Sequence, residues 1–209
     1  MKYANDSCFC NKPKDCEKMN QAENSSREEY LKKVAIGDLK PLHSTITLVV
    51  YDPHWPKLFE READRIRSLL GGRALRLEHV GSTSVPGLCA KPIIDILLTV
   101  EDSSDEASYV PALEAAGYVL RIREPDWFEH RVFKGPDTDI NLHVFSEGTS
   151  EAERMLRFRD WLRTNKADRG KHVQVKRELA RQVWDNVQNY ADAKTAVVSE
   201  IMERAAAEK

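Results

Sequence analysis

Two short stretches of the chain hold the residue types that chemistry needs. Gly81-Ser82-Thr83-Ser84 follows a stretch that reads as a strand. Glycine permits close backbone approach and positive φ, and a hydroxyl adds a donor to the backbone N–H groups, so such a turn suits a phosphate group. It equally suits an ordinary strand-to-helix connection. Asp95 then stands inside Ile93-Ile94-Asp95-Ile96-Leu97-Leu98, where a carboxylate is costly unless it is paired or bound to a cation.

Strand alternation sends Ile93, Asp95, Leu97 and Thr99 to one face, and Asp139, Asn141, His143 and Phe145 to one face of a later strand. If those strands are neighbours with matching faces, Asp95, Asp139 and His143 converge on a divalent ion. Oxygen ligands favour Mg²⁺ or Mn²⁺, and the imidazole shifts the balance toward manganese or zinc. For His143 the competing role is a hydrogen-bonded structural residue, and the same holds for His79 and Glu78 beside the turn. Residues 151–181 carry ten basic against five acidic side chains, among them Arg159, Arg163 and Lys176. That excess suits a polyanion laid over the turn, although exposed helices also carry Arg and Lys for solubility alone.

The elements that must position these groups alternate in period. Thr45 to Tyr51 reads as a strand ending at Asp52-Pro53, and Pro56 to Leu70 as a helix stopped by Gly71-Gly72. Ala74–Val80 and Ile93–Val100 read as strands, the second apolar enough to be central. A helix over 105–116 ends at Gly117, followed by strands over 118–122, 128–133 and 139–145, with Lys134-Gly135-Pro136-Asp137 turning between the last two. From Glu151 onward the period is helical, with a cap expected at Asp192.

The 209 residues suffice for one substantial core plus an appendage, and a net charge of -2 gives no global reason to expect nucleic acid or a membrane surface as partner. No basic stripe is interleaved with aromatics for stacking on bases. No apolar run is long enough to span a bilayer and the first residues lack a signal-peptide core, so the expected location is cytoplasmic. Residues 1–44 are polar and aperiodic and read as a disordered tail carrying Cys8, Cys10 and Cys16, with the ordered domain over 45–207. The C-x-C-x5-C spacing lacks a fourth ligand nearby, so free thiols are expected rather than a zinc site. No G-x-x-x-x-G-K-[ST] loop occurs, which excludes P-loop phosphoryl transfer at motif level.

Residues 78–96, EHVGSTSVPGLCAKPIIDI, resemble the signature of the GrpB family, supported by Tyr51-Asp52-Pro53-His54-Trp55-Pro56, Asn141-Leu142-His143-Val144-Phe145, Phe158-Arg159-Asp160-Trp161-Leu162-Arg163 and Lys176-Arg177-Glu178-Leu179-Ala180. The resemblance covers about residues 48–205. It implies an α/β nucleotidyltransferase fold, a mixed sheet flanked by helices, with the active site where the Gly-Ser turn meets the carboxylate strand. Some relatives are joined to dephospho-CoA kinase, which suggests coenzyme A or nucleotide metabolism. The expected activity is transfer of a nucleotidyl group from a nucleoside triphosphate to a small acceptor. Mg²⁺ or Mn²⁺ would sit on Asp95 and Asp139, Gly81 and Ser82 on the phosphates, and Arg159, Arg163 and Lys176 on the departing pyrophosphate, with a metal-bound carboxylate or His143 as base. The sequence departs from the wider nucleotidyltransferase pattern in having Ile93 and Leu97 where a second acidic residue would alternate with Asp95. The alternative is therefore a non-catalytic module that binds a nucleotide or coenzyme A.

Overall fold

A computed structural model describes residues 29–37, 43–185 and 187–208. The chain divides into two units, Met1–Ala35 and Ile36–Lys209. In the first, residues 29–34 are helical. The tail reading did not contain that turn, although Tyr30, Leu31 and Val34 have helical spacing. The rest of the expected tail up to residue 28, with its three cysteines, lies outside the described residues, as do residues 38–42.

The second unit is built on a five-stranded mixed sheet. Its strands are β1 (Arg76–Val80), β2 (Ile94–Val100), β3 (Val119–Glu124), β4 (His130–Lys134) and β5 (Ile140–Ser146), in the spatial order β1-β2-β5-β4-β3. Only β2 and β5 run parallel; the other three pairings are antiparallel. The β2–β5 pair sets Asp95 opposite Asn141 and Leu97 opposite His143, so the two faces singled out in the sequence coincide.

Each face of the sheet is covered by helices because β2 is apolar on both sides. Helix α1 (Trp55–Leu70) begins with Pro56 in its first turn, where the missing N–H costs nothing, and lays Phe59, Ala63, Ile66 and Leu70 on Ile94, Ile96 and Leu98. Gly71, at φ +57°, closes it with an N–H to the Arg67 carbonyl. The short α2 (Val110–Ala115) joins the same core through Val110 and Leu113. On the opposite face, Val80, Leu97 and Phe145 meet Ala152 and Leu156 of α3 (Ser150–Thr164). Three further helices complete the C-terminal third: α4 (Lys166–Ala180), α5 (Val187–Asp192) and α6 (Thr195–Ala207). No helix among the described residues is long and apolar enough to cross a membrane.

Three expectations need correction. The run Thr45–Tyr51 is extended but not a sheet strand; it makes one bridge, Val49 to Ala90, and is preceded by another, Ser44 to Trp184. Its apolar residues are shared between two clusters, Ile46 with Ala180 and Tyr190, Val49 and Tyr51 with the main core, so no edge of the sheet claims the whole run. The helix expected over 105–116 is split into a 3₁₀ turn (Glu106–Ser108) and α2, because Pro111 cannot continue a helix but can start one. Asp192 ends α5 rather than capping the last helix, whose N-cap is Lys194.

Candidate functional site

Antiparallel pairing aligns Val80 with Asp95, so the chain leaving β1 passes directly over the carboxylate. Gly81 makes this possible at φ +67°, ψ −172°, a region essentially closed to other residues. A Cβ there would collide with Asp95 Oδ2 and lie 2.9 Å from Asp95 Cβ and Cγ. Ser82–Ser84 then form a 3₁₀ turn, closed by the Ser84 hydroxyl on the Gly81 carbonyl at 2.6 Å. Thr83 Oγ1 donates to the Ile93 carbonyl at 3.1 Å and meets His79 Nε2 at 3.0 Å, tying the turn to the start of β2. Val85 and Leu88 anchor it from below against Leu162, Val197 and Ile201.

Asp95 is half-buried. Its Oδ1 accepts the Asn141 amide at 2.7 Å and lies 3.8 Å from His143 Nε2. Burial acts to raise its pKa, but His143, the Asn141 amide and the Lys91 charge together hold it below the ordinary carboxylate value. The expected partnership with Asp139 does not form. Asp139 sits just ahead of β5, about 60% exposed, with its carboxylate on Lys134 Nζ at 3.0 Å. Among the described residues no group of three His, Cys, Asp or Glu side chains is placed to hold one metal ion.

What surrounds Asp95 instead is positive charge. Lys176 of α4, only 3% exposed, donates to Ser82 Oγ and to the Cys89 carbonyl, both at 2.8 Å. Lys194 arrives from the start of α6 and Lys91 from the loop leading into β2, and their ammonium groups stand 4.5 and 5.6 Å from the centroid of the buried Tyr190 ring. Burial, then the Lys194 charge, pushes Lys176 down to about 7. Burial, then Lys91, pushes Lys194 down to about 8, and burial lowers Lys91 as well, while Asp95 acts to raise all three. Three ammonium groups thus act on Asp95 in a partly dehydrated space, with Asp139 also in reach of Lys91 and Asp192 of Lys194.

Lys176, expected on a ligand's pyrophosphate, is hydrogen-bonded to the Gly-Ser turn itself. Of the two arginines Arg159 is buried, whereas Arg163 is exposed. Arg159 donates to Glu78 Oε2 at 2.7 Å, to the His79 carbonyl at 3.1 Å and to Asp160 at 2.7 Å. Arg163 grips the Ser84 carbonyl through Nε and Nη2 at 3.1 and 2.9 Å. Both position the turn. His79 is structural, stacked on Phe59 at 5.0 Å and pushed by burial to about 4. Cys89 is a buried free thiol. Sequence reasoning passed over Lys91 and Lys194; Lys91 lies within residues 78–96 and was the one open to discovery.

A family model described as GrpB protein matches residues 45–204. UPF0157 protein BH1888 of Halalkalibacterium halodurans is 70% identical over 178 residues, covering 85% of this chain and 91% of that protein. The crystal structure of conserved protein GrpB from Enterococcus faecalis superposes with a TM-score of 0.68 at 34% identity, over 76% of this chain and 96% of that one. A dephospho-CoA kinase of Mycolicibacterium paratuberculosis is 30% identical over 175 residues, which span 71% of this chain but 43% of the kinase.

Proposed function

The chain belongs to the GrpB family, and from that premise and the charge at the Gly81–Ser82 turn we propose that it binds a phosphorylated small molecule, a nucleoside triphosphate or coenzyme A, as a non-catalytic module. The observation that carries this reading is the gathering of Lys91, Lys176 and Lys194 within reach of Asp95, with Asp139 also acting on Lys91 and Asp192 on Lys194. Burial disfavours the charged form of all three lysines, so a ligand that favours that form brings negative charge. Phosphate oxygens supply it and accept charge-assisted hydrogen bonds from ammonium groups and from the Ser82 hydroxyl. The relative named dephospho-CoA kinase adds coenzyme A to the ligands to be tested, although more than half of that protein lies outside the match.

The donor set does not fit a resident Mg²⁺ or Mn²⁺. Such ions take several oxygens, whereas here Asp95 stands among lysines with one oxygen occupied by the Asn141 amide. A second reading, nucleotidyl transfer to a small acceptor, is favoured by one observation: His143 Nε2 lies 3.8 Å from Asp95, where it could accept the proton of an acceptor hydroxyl. The oxygen–phosphorus bond would form as the bond to pyrophosphate breaks, with Lys176 and Lys194 neutralising the leaving group.

The test is a thermal-shift screen of the purified chain, of Lys194→Met and of Asp95→Ala with ATP, CTP, GTP, UTP and coenzyme A, each with and without Mg²⁺ or Mn²⁺. Ligand at 100 times Kd adds about 2.7 kcal/mol to the stability of the native state. Metal-independent stabilisation that Lys194→Met abolishes is the expected result. Stabilisation that requires the metal and the Asp95 carboxylate, with release of pyrophosphate on adding acceptors, would transfer the conclusion to the second reading. No shift with any compound would overturn both.

A further inference from the structure

Behind His143 the structure holds two more titratable groups in line. His143 Nδ1 lies 3.1 Å from His130 Nε2, and His130 Nδ1 lies 2.6 Å from Glu124 Oε2. The imidazole planes are 6° from parallel with their centroids 5.3 Å apart. His130 is in turn stacked on Phe145 at 4.5 Å and met edge-on by Trp127. The turn that delivers His130 passes through Phe128 and Glu129, both at positive φ (55° and 50°), a conformation that costs energy for side chains of that kind. His130 is almost wholly buried and Glu124 reaches solvent with about 14% of its side chain.

Hydrogen-bond arithmetic fixes the direction of the row. A carboxylate only accepts, so the proton between Glu124 and His130 sits on His130 Nδ1. His130 Nε2 is then an acceptor when the ring is neutral, and the proton between the rings sits on His143 Nδ1. While both rings are neutral, that leaves the lone pair of His143 Nε2 facing Asp95; once protonated there, His143 donates to the carboxylate, which is the form in which it holds Asp95 below its ordinary value. Two neutral imidazoles bring two protons to three contacts, so the last contact, His143 to Asp95, is the one left short. It is also the longest, at 3.8 Å.

We infer that Glu124, His130 and His143 form a proton relay whose open end, His143 Nε2, accepts a proton from an O–H or N–H group of the ligand seated between His143 and Asp95. As that proton bonds to Nε2, the Nδ1 proton of His143 passes to His130 Nε2 and the Nδ1 proton of His130 passes to Glu124 Oε2, neutralising the carboxylate while the ligand group gains the negative charge. Glu124 and His130 are positioning residues, acting through His143. The relay stands on the geometry of the four groups, whichever anion the lysines hold. Other charges facing the row are Lys91 beside Asp95 and Glu151 of α3 toward His130, the latter held by Arg154 at 2.6 Å.

The test is nitrogen-15 NMR of the full chain with labelled histidine, following the protonation of each ring nitrogen across pH in the wild type, His130→Phe and Glu124→Gln, each checked by its thermal melt. In the wild type both neutral rings should carry the proton on Nδ1, and lowering the pH should add one proton at His143 Nε2 in a step that moves the signals of both rings. His130→Phe keeps a ring in the stack but removes the acceptor, so His143 should lose the Nδ1–H tautomer and titrate alone. Glu124→Gln should shift the His143 step to lower pH. A wild-type neutral His143 protonated on Nε2, or a His143 tautomer that His130→Phe leaves unchanged, would overturn the relay. Should His130→Phe fail to fold, an unmoved His143 step in Glu124→Gln overturns it.

Discussion

Gly81 and Asp95 are packed so closely that no side chain fits between them: a Cβ on residue 81 would lie 2.9 Å from the Cβ and Cγ of Asp95 and overlap its Oδ2. Pairing of Val80 with Asp95 fixes that approach, and the lysines and His143 converge on the carboxylate it creates. The glycine is therefore required twice, for its φ of +67° and for its missing Cβ.

Gly81→Ala should destabilise the fold by roughly 1–3 kcal/mol, from backbone strain plus the collision with Asp95. Urea denaturation of Gly81→Ala, Asp95→Ala and the double variant measures both parts. Removing the carboxylate should relieve some of the cost, giving a coupling energy, while the strain from positive φ remains. Strictly additive losses would mean that the turn moves off Asp95 when residue 81 acquires a side chain.

Lys176 makes stability depend on pH in a defined window. Its folded pKa of about 7 lies below its ordinary 10.5, so between these values the unfolded chain binds more protons than the native one. Stability should rise with pH across that window, and the contribution is lost as pH falls through about 7. Lys194, at about 8, adds a slope of the same sign. Lys176→Met removes the buried charge with little change of shape, so the slope of urea stability between pH 7 and pH 10 should flatten. An unaltered slope would place the ammonium of Lys176 in water.

Anion binding should take up protons. A phosphate among Lys91, Lys176 and Lys194 favours their charged forms and raises the depressed pKa values. At about pH 8 the complex then holds more protons than the free protein, whereas near pH 6 both Lys176 and Lys194 are already charged and the uptake should vanish. Calorimetric titration of the ligand found by thermal shift, in buffers of different ionisation enthalpy, gives the number directly. Proton release at pH 8 would contradict the lysine cluster as the binding locus.

Much of this arrangement was legible in the sequence because it is local. Asp95 in an apolar strand and Gly81 at a strand end are visible as breaks in pattern, and the period of two in residues 139–145 set Asn141 and His143 on one face. What failed depended on partners far away in the chain. Asp139 shares the alternation of His143 but sits before β5 begins, where Lys134 of the preceding strand claims it. Arg159 and Lys176 look alike in a basic helical stretch. Their difference arises because Glu78 and Asp160 meet the first, while Ser82 and Cys89 meet the second. Lys194 reaches the turn only through the packing of Val197 and Ile201 on Val85 and Leu88, which no spacing in the sequence announces. His130 carried no signal either, since its role rests on a ring stacked across two strands.

Arg159 separates a structural cation from a binding one. The sequence placed it on a ligand phosphate; the structure engages Nε, Nη1 and Nη2 with Asp160, Glu78 and the His79 carbonyl. Arg159→Met keeps the apolar stem and removes all of these bonds. Its partners Glu78 and Asp160 have side chains about 34% and 56% exposed and can recover water, so the loss should fall below that of a fully buried pair, at roughly 1–3 kcal/mol. Binding of the phosphorylated ligand by the folded variant should be unchanged, because the guanidinium never faced it. Lys194→Met should do the reverse, abolishing binding with little loss of stability, since it removes a charge that burial already disfavours. Urea melts and ligand titrations on the two variants decide the matter. Loss of binding in a stably folded Arg159→Met would return the arginine to the phosphate and the lysine cluster to a supporting role.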